Sequence, residues 1–287
     1  MKRKVKDIAA SVRGRLLKIA KATGRDFNAI LRQYFQERLL YRLSISDYKD
    51  HFVLKGALLF TVYNAPLNRP TKDIDFLGVN ISFNEQYIID VIKKIVSIEY
   101  EDGVLFDSDS ITSEIIRRQE IYPGIRIKCN AHLGQAQSNI FFDIAFGDII
   151  IPKPLFIDFP VILESIPAPK IFAYTPESAI AEKFEAIVKF SFFTSRMKDF
   201  FDIYHLLKHY RLDSCFLKEA IEETFSTRKT DLENRKVIYS EDFTNDSTLN
   251  RQWNAFLKRI DSNIGITFKD CIEQIKSIIE PLFETNN

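Results

Sequence analysis

The sequence is poor in the residues that mark a disulfide scaffold, a zinc module or a membrane protein. Its three cysteines, Cys129, Cys215 and Cys271, lie far apart with no CxxC spacing, a usage that points to a reducing compartment. The four histidines, His51, His132, His205 and His209, form no zinc-ligand pattern. Apolar runs stay short of the ~18 residues that a membrane span needs. The opening stretch MKRKVKDIAASVRGRL is charged where a signal peptide is apolar, so the expectation is a cytoplasmic protein with no membrane partner. Charge of one sign is lacking as well, since 40 basic residues meet 39 acidic ones for a net charge of +1. Such a balance excludes wholesale attraction to nucleic acid and confines any RNA contact to a local patch. There is no internal repeat and no low-complexity tract.

What the chain does have is core material. With 46% hydrophobic and 13% aromatic residues, 287 residues can bury one large core or two modest ones. Residues 8 to 22 read as a helix stopped by Gly24, and Asp26 caps a second helix whose apolar stripe runs through Phe27, Ile30, Leu31, Tyr34, Phe35 and Leu39. That stripe predicts a helix packed on a sheet and carries no chemistry of its own. Basic residues crowd the first helix, as a solvated face or as a contact to RNA phosphates.

Residues 84 to 99 read as an amphipathic helix, and strand-like segments follow at 104 to 107, 113 to 121, 124 to 133 and 139 to 147. Short strands joined by Gly and Pro turns imply a mixed or antiparallel sheet. Prolines cluster between residues 150 and 170, which divides the chain into a core at 1–165 and a helical C-terminal domain at 166–287. Thr175 and Pro176 open a helix running to about Phe190, and helices near 214 to 226, 246 to 262 and 267 to 284 follow. The polar stretch 227 to 245 reads as an exposed loop, while Trp253 and Phe256 are spaced for packing.

The stretch that organises the rest is 52 to 77, FVLKGALLFTVYNAPLNRPTKDIDFL. Phe52 to Leu54 suit a buried strand, Gly56 a tight turn, and residues 57 to 63 a helix whose first N–H groups are placed for phosphate oxygens. Asp73 and Asp75 alternate with Ile74 and Phe76, so a strand sends both carboxylates to one face. Their Cα atoms then lie roughly 6.6 Å apart at ~3.3 Å per residue. Carboxylates so placed suit Mg²⁺ or solvated strand ends. Asp143 sits in the apolar run Asn139 to Phe146. An ionised carboxylate there needs a metal, an arginine partner or a cap to offset its burial. Lys183 falls beside the Ile180, Phe184 and Ile187 stripe, where it either snorkels to water or reaches a cleft. Asp199 and Asp202 share one helix face, within reach of ion pairs with Arg196 and Lys198.

Taken together these residues resemble the nucleotidyltransferase core of the AbiEii/AbiGii-type toxins, a branch of the DNA polymerase beta-like superfamily. The resemblance runs from Glu37 to Leu43 and Phe52 to Gly56, through Arg69 and Asp73-Ile74-Asp75-Phe76, to Asp143 through Asp148, Ala181-Glu182-Lys183 and Ser195 to Asp202. It departs at Ala57, where the family usually has Gly or Ser. The resemblance implies an α+β fold, a nucleotidyltransferase (polymerase beta-like) mixed sheet with flanking helices plus a C-terminal helical domain. It implies Asp73, Asp75 and Asp143 as ligands of a two-metal Mg²⁺ site. Lys55, Gly56, Ala57, Arg69, Lys183 and Lys198 are expected to bind a nucleoside triphosphate, and Lys183, Asp199 and Asp202 to join the three aspartates in catalysis. The implied activity is transfer of a nucleoside monophosphate to an RNA, commonly the 3′ end of a tRNA, by a toxin restrained by an antitoxin encoded nearby. Transfer to a small molecule or a protein side chain is the alternative, as is an inactive binding protein of the same fold.

Overall fold

The computed structural model describes residues 7–63, 71–116, 123–260 and 265–284. Its described residues divide into two compact units, one of residues 7–63, 71–116, 123–147 and 155–173 and the other of 148–154, 174–260 and 265–284.

The first unit begins with α1 (Ile8–Thr23) and α2 (Phe27–Ser44). Asp7 caps α1 by accepting the Ala10 N–H at 2.9 Å, Gly24 stops it at φ +67°, and Asp26 caps α2 through the Ala29 N–H at 2.9 Å. The strands are β1 (Phe52–Lys55), β2 (Asp73–Gly78), β3 (Val104–Ile116), β4 (Gly124–Leu133), β5 (Ala136–Phe146), β6 (Leu155–Asp158) and β7 (Lys170–Ala173). Two helices intervene, α3 (Leu59–Val62) after β1 and α4 (Glu85–Val96) after β2. Among the described residues the strands form one mixed sheet in the order β3-β4-β5-β2-β1-β7-β6. β2 runs parallel to β5 and β1 parallel to β7, while the other neighbours are antiparallel.

Alternation sets the two faces of this sheet. Ile125, Ile127, Cys129, Ala131 and Leu133 of β4 are buried, as are Ile140, Phe142 and Ile144 of β5 and Ile74 and Phe76 of β2. These residues form the core, covered by the apolar stripes of α2 and α4. The intervening positions, Asp73, Asp75, Arg126 and Asp143 among them, therefore share the opposite face.

Two expectations for this unit need correction. The helix expected over 57 to 63 shrinks to the single turn of α3, because Gly56 to Leu58 are used in the turn that leaves β1. The segments at 104 to 107 and 113 to 121 belong to one strand, β3, with a register shift between Asp107 and Thr112. Positions 117–121 of the second segment lie outside the described residues.

Helix α2 also holds chemistry that its apolar stripe hid. Arg42 and Asp102, 2% and 0% exposed, form a two-point salt bridge at 2.8 and 3.2 Å, and the same guanidinium donates to the Ile98 and Val104 carbonyls. Full hydrogen bonding makes burial of this pair tolerable. Glu37, also buried, accepts the Ile162 N–H on both carboxylate oxygens, at 3.1 and 3.0 Å, and the Gln33 amide at 3.0 Å. Burial outweighs these hydrogen bonds and pushes its carboxyl up to about 7 from 4.5. Because the folded value lies above the unfolded one, the stability it allows is complete below pH 4.5 and is lost as the pH rises through about 7. Glu37→Gln, which keeps an acceptor for Ile162, is therefore expected to gain about 2–3 kcal/mol over wild type at pH 8 and little at pH 5. Denaturant melts at the two pH values measure the gain, and an equal effect at both contradicts it.

The second unit is helical, with α5 (Pro176–Phe190), α6 (Met197–His209), α7 (Ser214–Thr227), α8 (Arg235–Ile238), α9 (Glu241–Thr244), α10 (Ser247–Arg259) and α11 (Phe268–Ile279). Thr175 caps α5 with Pro176 at its first turn, as the sequence predicts. An aromatic core gathers Phe200, Phe243, Trp253 and Phe268, with neighbouring ring centroids 5.1 to 6.3 Å apart. Phe243 and Ile238 are fully buried, so the expectation of an exposed loop over 227 to 245 fails. Two short helices and a 3₁₀ turn at Leu232–Asn234 occupy that stretch. Asp231 and Ser240 cap these turns, and Ile238 and Phe243 reach the core.

Candidate functional site

Gly56 fixes the first element of the site. Its φ of +69° is a left-handed conformation that L side chains rarely adopt, and a Cβ built there would lie 2.0 Å from Asp75 Oδ2. The turn thus exists where the Asp75 carboxylate must approach the backbone. Ala57 follows in the same turn, and its carbonyl accepts the Phe60 N–H at 3.2 Å.

Strand register supplies the rest of this face. Lys55 stands opposite Asp75, Asp75 opposite Asp143, Asp143 opposite Arg126, and Arg126 opposite Glu114. Five charged residues therefore form one row across β1, β2, β5, β4 and β3, with Asp73 two places along β2 from Asp75. Lys55, Asp75 and Asp143 line a shallow pocket with Phe76, Ile116 and Gly124. Of the partners left open for Asp143, the structure shows an arginine. The Arg126 guanidinium donates through Nε and Nη2 to the two oxygens of Asp143, at 2.8 and 2.7 Å. These hydrogen bonds raise the guanidinium pKa and hold it charged. Among the described residues no three His, Cys, Asp or Glu side chains are grouped as a metal cage. Mg²⁺ does not need one, because it is usually held by one or two carboxylates together with substrate phosphates. Asp73 and Asp75, on one face of β2 beside the glycine turn, fit that requirement. Arg69 lies outside the described residues.

In the second unit Lys183 of α5 donates to Asp199 Oδ1 at 2.9 Å and Asp202 Oδ2 at 2.7 Å, both on α6. Arg196 donates to the other oxygen of Asp199. The two aspartate side chains are 1% and 3% exposed. Burial favours the neutral form of Asp199, but Lys183 and Arg196 outweigh it and hold the carboxyl down at about 2. The ammonium of Lys183 shows the same balance, burial disfavouring the charge and the two aspartates restoring it, for a raised pKa. Lys198 is exposed on the first turn of α6.

Sequence reasoning missed Arg126 and Arg228. Arg228 contacts Asp148 at 2.8 Å, Glu182 at 3.3 Å and Glu185 at 3.0 Å, and Tyr174 donates to Glu182 at 2.9 Å. Asp148 is thus a member of a buried ionic cluster as well as a residue beside a turn. Alternation on β4 could have placed Arg126 on the carboxylate face. Nothing local announces Arg228, whose partners are up to 80 residues away.

A mixed sheet that presents Asp73 and Asp75 on one face, with Asp75 set against a left-handed glycine turn, is consistent with a nucleotidyltransferase fold. The chain belongs to the AbiEii family: the model for "Nucleotidyl transferase AbiEii toxin, Type IV TA system" matches residues 38–274. No curated protein matches it. Among solved structures it is similar to JHP933 from Helicobacter pylori, at 15% identity and a TM-score of 0.48 over 89% of this chain and 91% of that one. It is also similar to a chain from the same organism described as a candidate nucleotidyltransferase, at 15% identity and a TM-score of 0.46 over 89% and 94%.

Proposed function

We propose that this toxin-family nucleotidyltransferase transfers a nucleoside monophosphate from a nucleoside triphosphate to the 3′ end of an RNA, a tRNA being the favoured acceptor. The observation that carries the reading is the pairing of Asp73 and Asp75 on one strand face with the Gly56 turn closed against Asp75. Asp73 and Asp75 are the residues to hold Mg²⁺, which when bound neutralises phosphate charge and polarises the reacting phosphoryl group. The Gly56 and Ala57 amides and Lys55 are assigned to the phosphates. Family membership supports a part for Arg69, Lys183 and Lys198 in nucleotide binding and for Asp199 and Asp202 in catalysis.

In the reaction the acceptor hydroxyl oxygen bonds to the α-phosphorus and the bond from that phosphorus to the bridging oxygen breaks. Pyrophosphate leaves with that electron pair, and the hydroxyl proton passes to solvent or a carboxylate. The protein has little covalent work to do, so positioning and charge neutralisation set the rate. The cytosol is the proposed place of action and a cognate antitoxin the proposed restraint.

A transfer assay tests this reading. Protein, total tRNA, Mg²⁺ and each α-labelled nucleoside triphosphate in turn should give labelled RNA with wild type and none with Asp75→Asn. Label on protein or on a small molecule instead of RNA contradicts the acceptor assignment. Label that survives Asp75→Asn contradicts the site.

A further inference from the structure

Arg126 is the cation of the sheet face to which nucleotidyl transfer gives no task. Besides the paired hydrogen bonds to Asp143, its Nη2 lies 4.0 Å from Asp73 Oδ2 and its Nη1 3.9 Å from Glu114 Oε1. It is the cation shared by three carboxylates of the face. The Asp143 side chain is 13% exposed and both of its oxygens are engaged. A fork that meets a carboxylate edge-on fixes geometry as well as charge. Lys55, opposite Asp75, adds a second cation to the row. Lys55 and Arg126 thus stand among four carboxylates, Asp73, Asp75, Asp143 and Glu114, and of these it is Asp143 whose two oxygens the guanidinium holds. The guanidinium fork occupies the edge of Asp143 through which that carboxylate would hold a second divalent ion.

We propose that Arg126 serves as a fixed cation in place of a second Mg²⁺: it retains Asp143 as its salt-bridge partner, and the nucleotide loads with one Mg²⁺, held by Asp73 and Asp75. This rests on the nucleotidyl-transfer reading and departs from the two-metal site that the family resemblance implies. Asp143 is then a positioning residue that aims the guanidinium, and the part of Arg126 left exposed, 37% of the side chain, is available to phosphate oxygens.

Counting bound metal tests it without reference to turnover. Mn²⁺ is titrated, with its free concentration followed by electron paramagnetic resonance, into full-length protein saturated with α,β-methylene nucleoside triphosphate. Wild type is expected to bind one ion. Asp143→Asn should leave its affinity within about threefold, whereas Asp75→Asn should weaken it at least about tenfold. Arg126→Met, which frees Asp143, should gain a second ion. Two ions on wild type, with one lost in Asp143→Asn, overturn the inference and leave nucleotidyl transfer intact. So does an Arg126→Met variant that melts like wild type and still binds one ion. Failure of any Mn²⁺ to bind with nucleotide overturns the transfer reading and this inference with it.

Discussion

Lys183→Met is expected to destabilise the helical unit by about 3–5 kcal/mol, the penalty for leaving buried charges without their counter-ion. The methionine matches the lysine stem in size, so packing is preserved and the loss is electrostatic. Asp199 keeps Arg196, but Asp202, 2% exposed, loses the ammonium that sits 2.7 Å from it. Differential scanning calorimetry should show this transition falling by roughly 10 °C or more. The triple variant Lys183→Met, Asp199→Asn, Asp202→Asn should recover most of the loss, because it removes the charges together. The pH dependence has a definite sign. The Asp199 carboxyl is held at about 2, below its ordinary 3.8, so its contribution is present above 3.8 and disappears as the pH falls toward 2. Lys183→Met should flatten that acid limb. A variant that melts within about 2 °C of wild type with an unchanged acid limb would show that the triad does not carry this energy.

Gly56→Ala is the second large effect. The added methyl would meet Asp75 Oδ2 at 2.0 Å and Cγ at 2.5 Å, and the backbone there already has a φ of +69°. The carboxylate cannot stay where it is, because its own Cβ would be 2.7 Å from the new atom. Strain in the left-handed turn costs of order 1–2 kcal/mol. Displacement of Asp75 is expected to cost transfer activity roughly 10²–10³-fold, since a shift of about 1 Å at a positioned group has effects of that order. The two effects separate in a paired measurement of Tm and labelled-nucleotide transfer. Ala57→Gly, at an ordinary turn position, should change neither by much. Transfer by Gly56→Ala at near wild-type rate would remove the close contact from the account of the site.

What could be read from the sequence was what short-range chemistry decides. Asp26, Thr175 and Pro176 announce helix starts because caps act within three residues, and the alternation of β2 assigns Asp73 and Asp75 to one face because a pleat has period two. The pairing of Asp143 was not legible in the same way. Its partner is set by the register of β4 against β5, which only the folded sheet defines. Arg42 was hidden for a related reason: an arginine inside an apolar stripe reads as a surface residue until Asp102, 60 positions later, is brought beside it. The stretch 227 to 245 misled because polarity was taken for exposure, although Phe243 and Ile238 alone suffice to anchor it. Gly56 was legible as a turn, but the distance that makes it necessary was not.

The route of the chain through the sheet bears on synthesis. β7 pairs with β1, yet it is made only after residues 148–154 have been given to the other unit. A product that stops before residue 170 therefore has Asp73, Asp75 and Asp143 but leaves the far side of β1, next to the Gly56 turn, with unpaired backbone donors and acceptors. The sheet beside the Gly56 turn is thus closed by one of the last strands to be synthesised, so the support on that side of β1 arrives long after the three aspartates themselves.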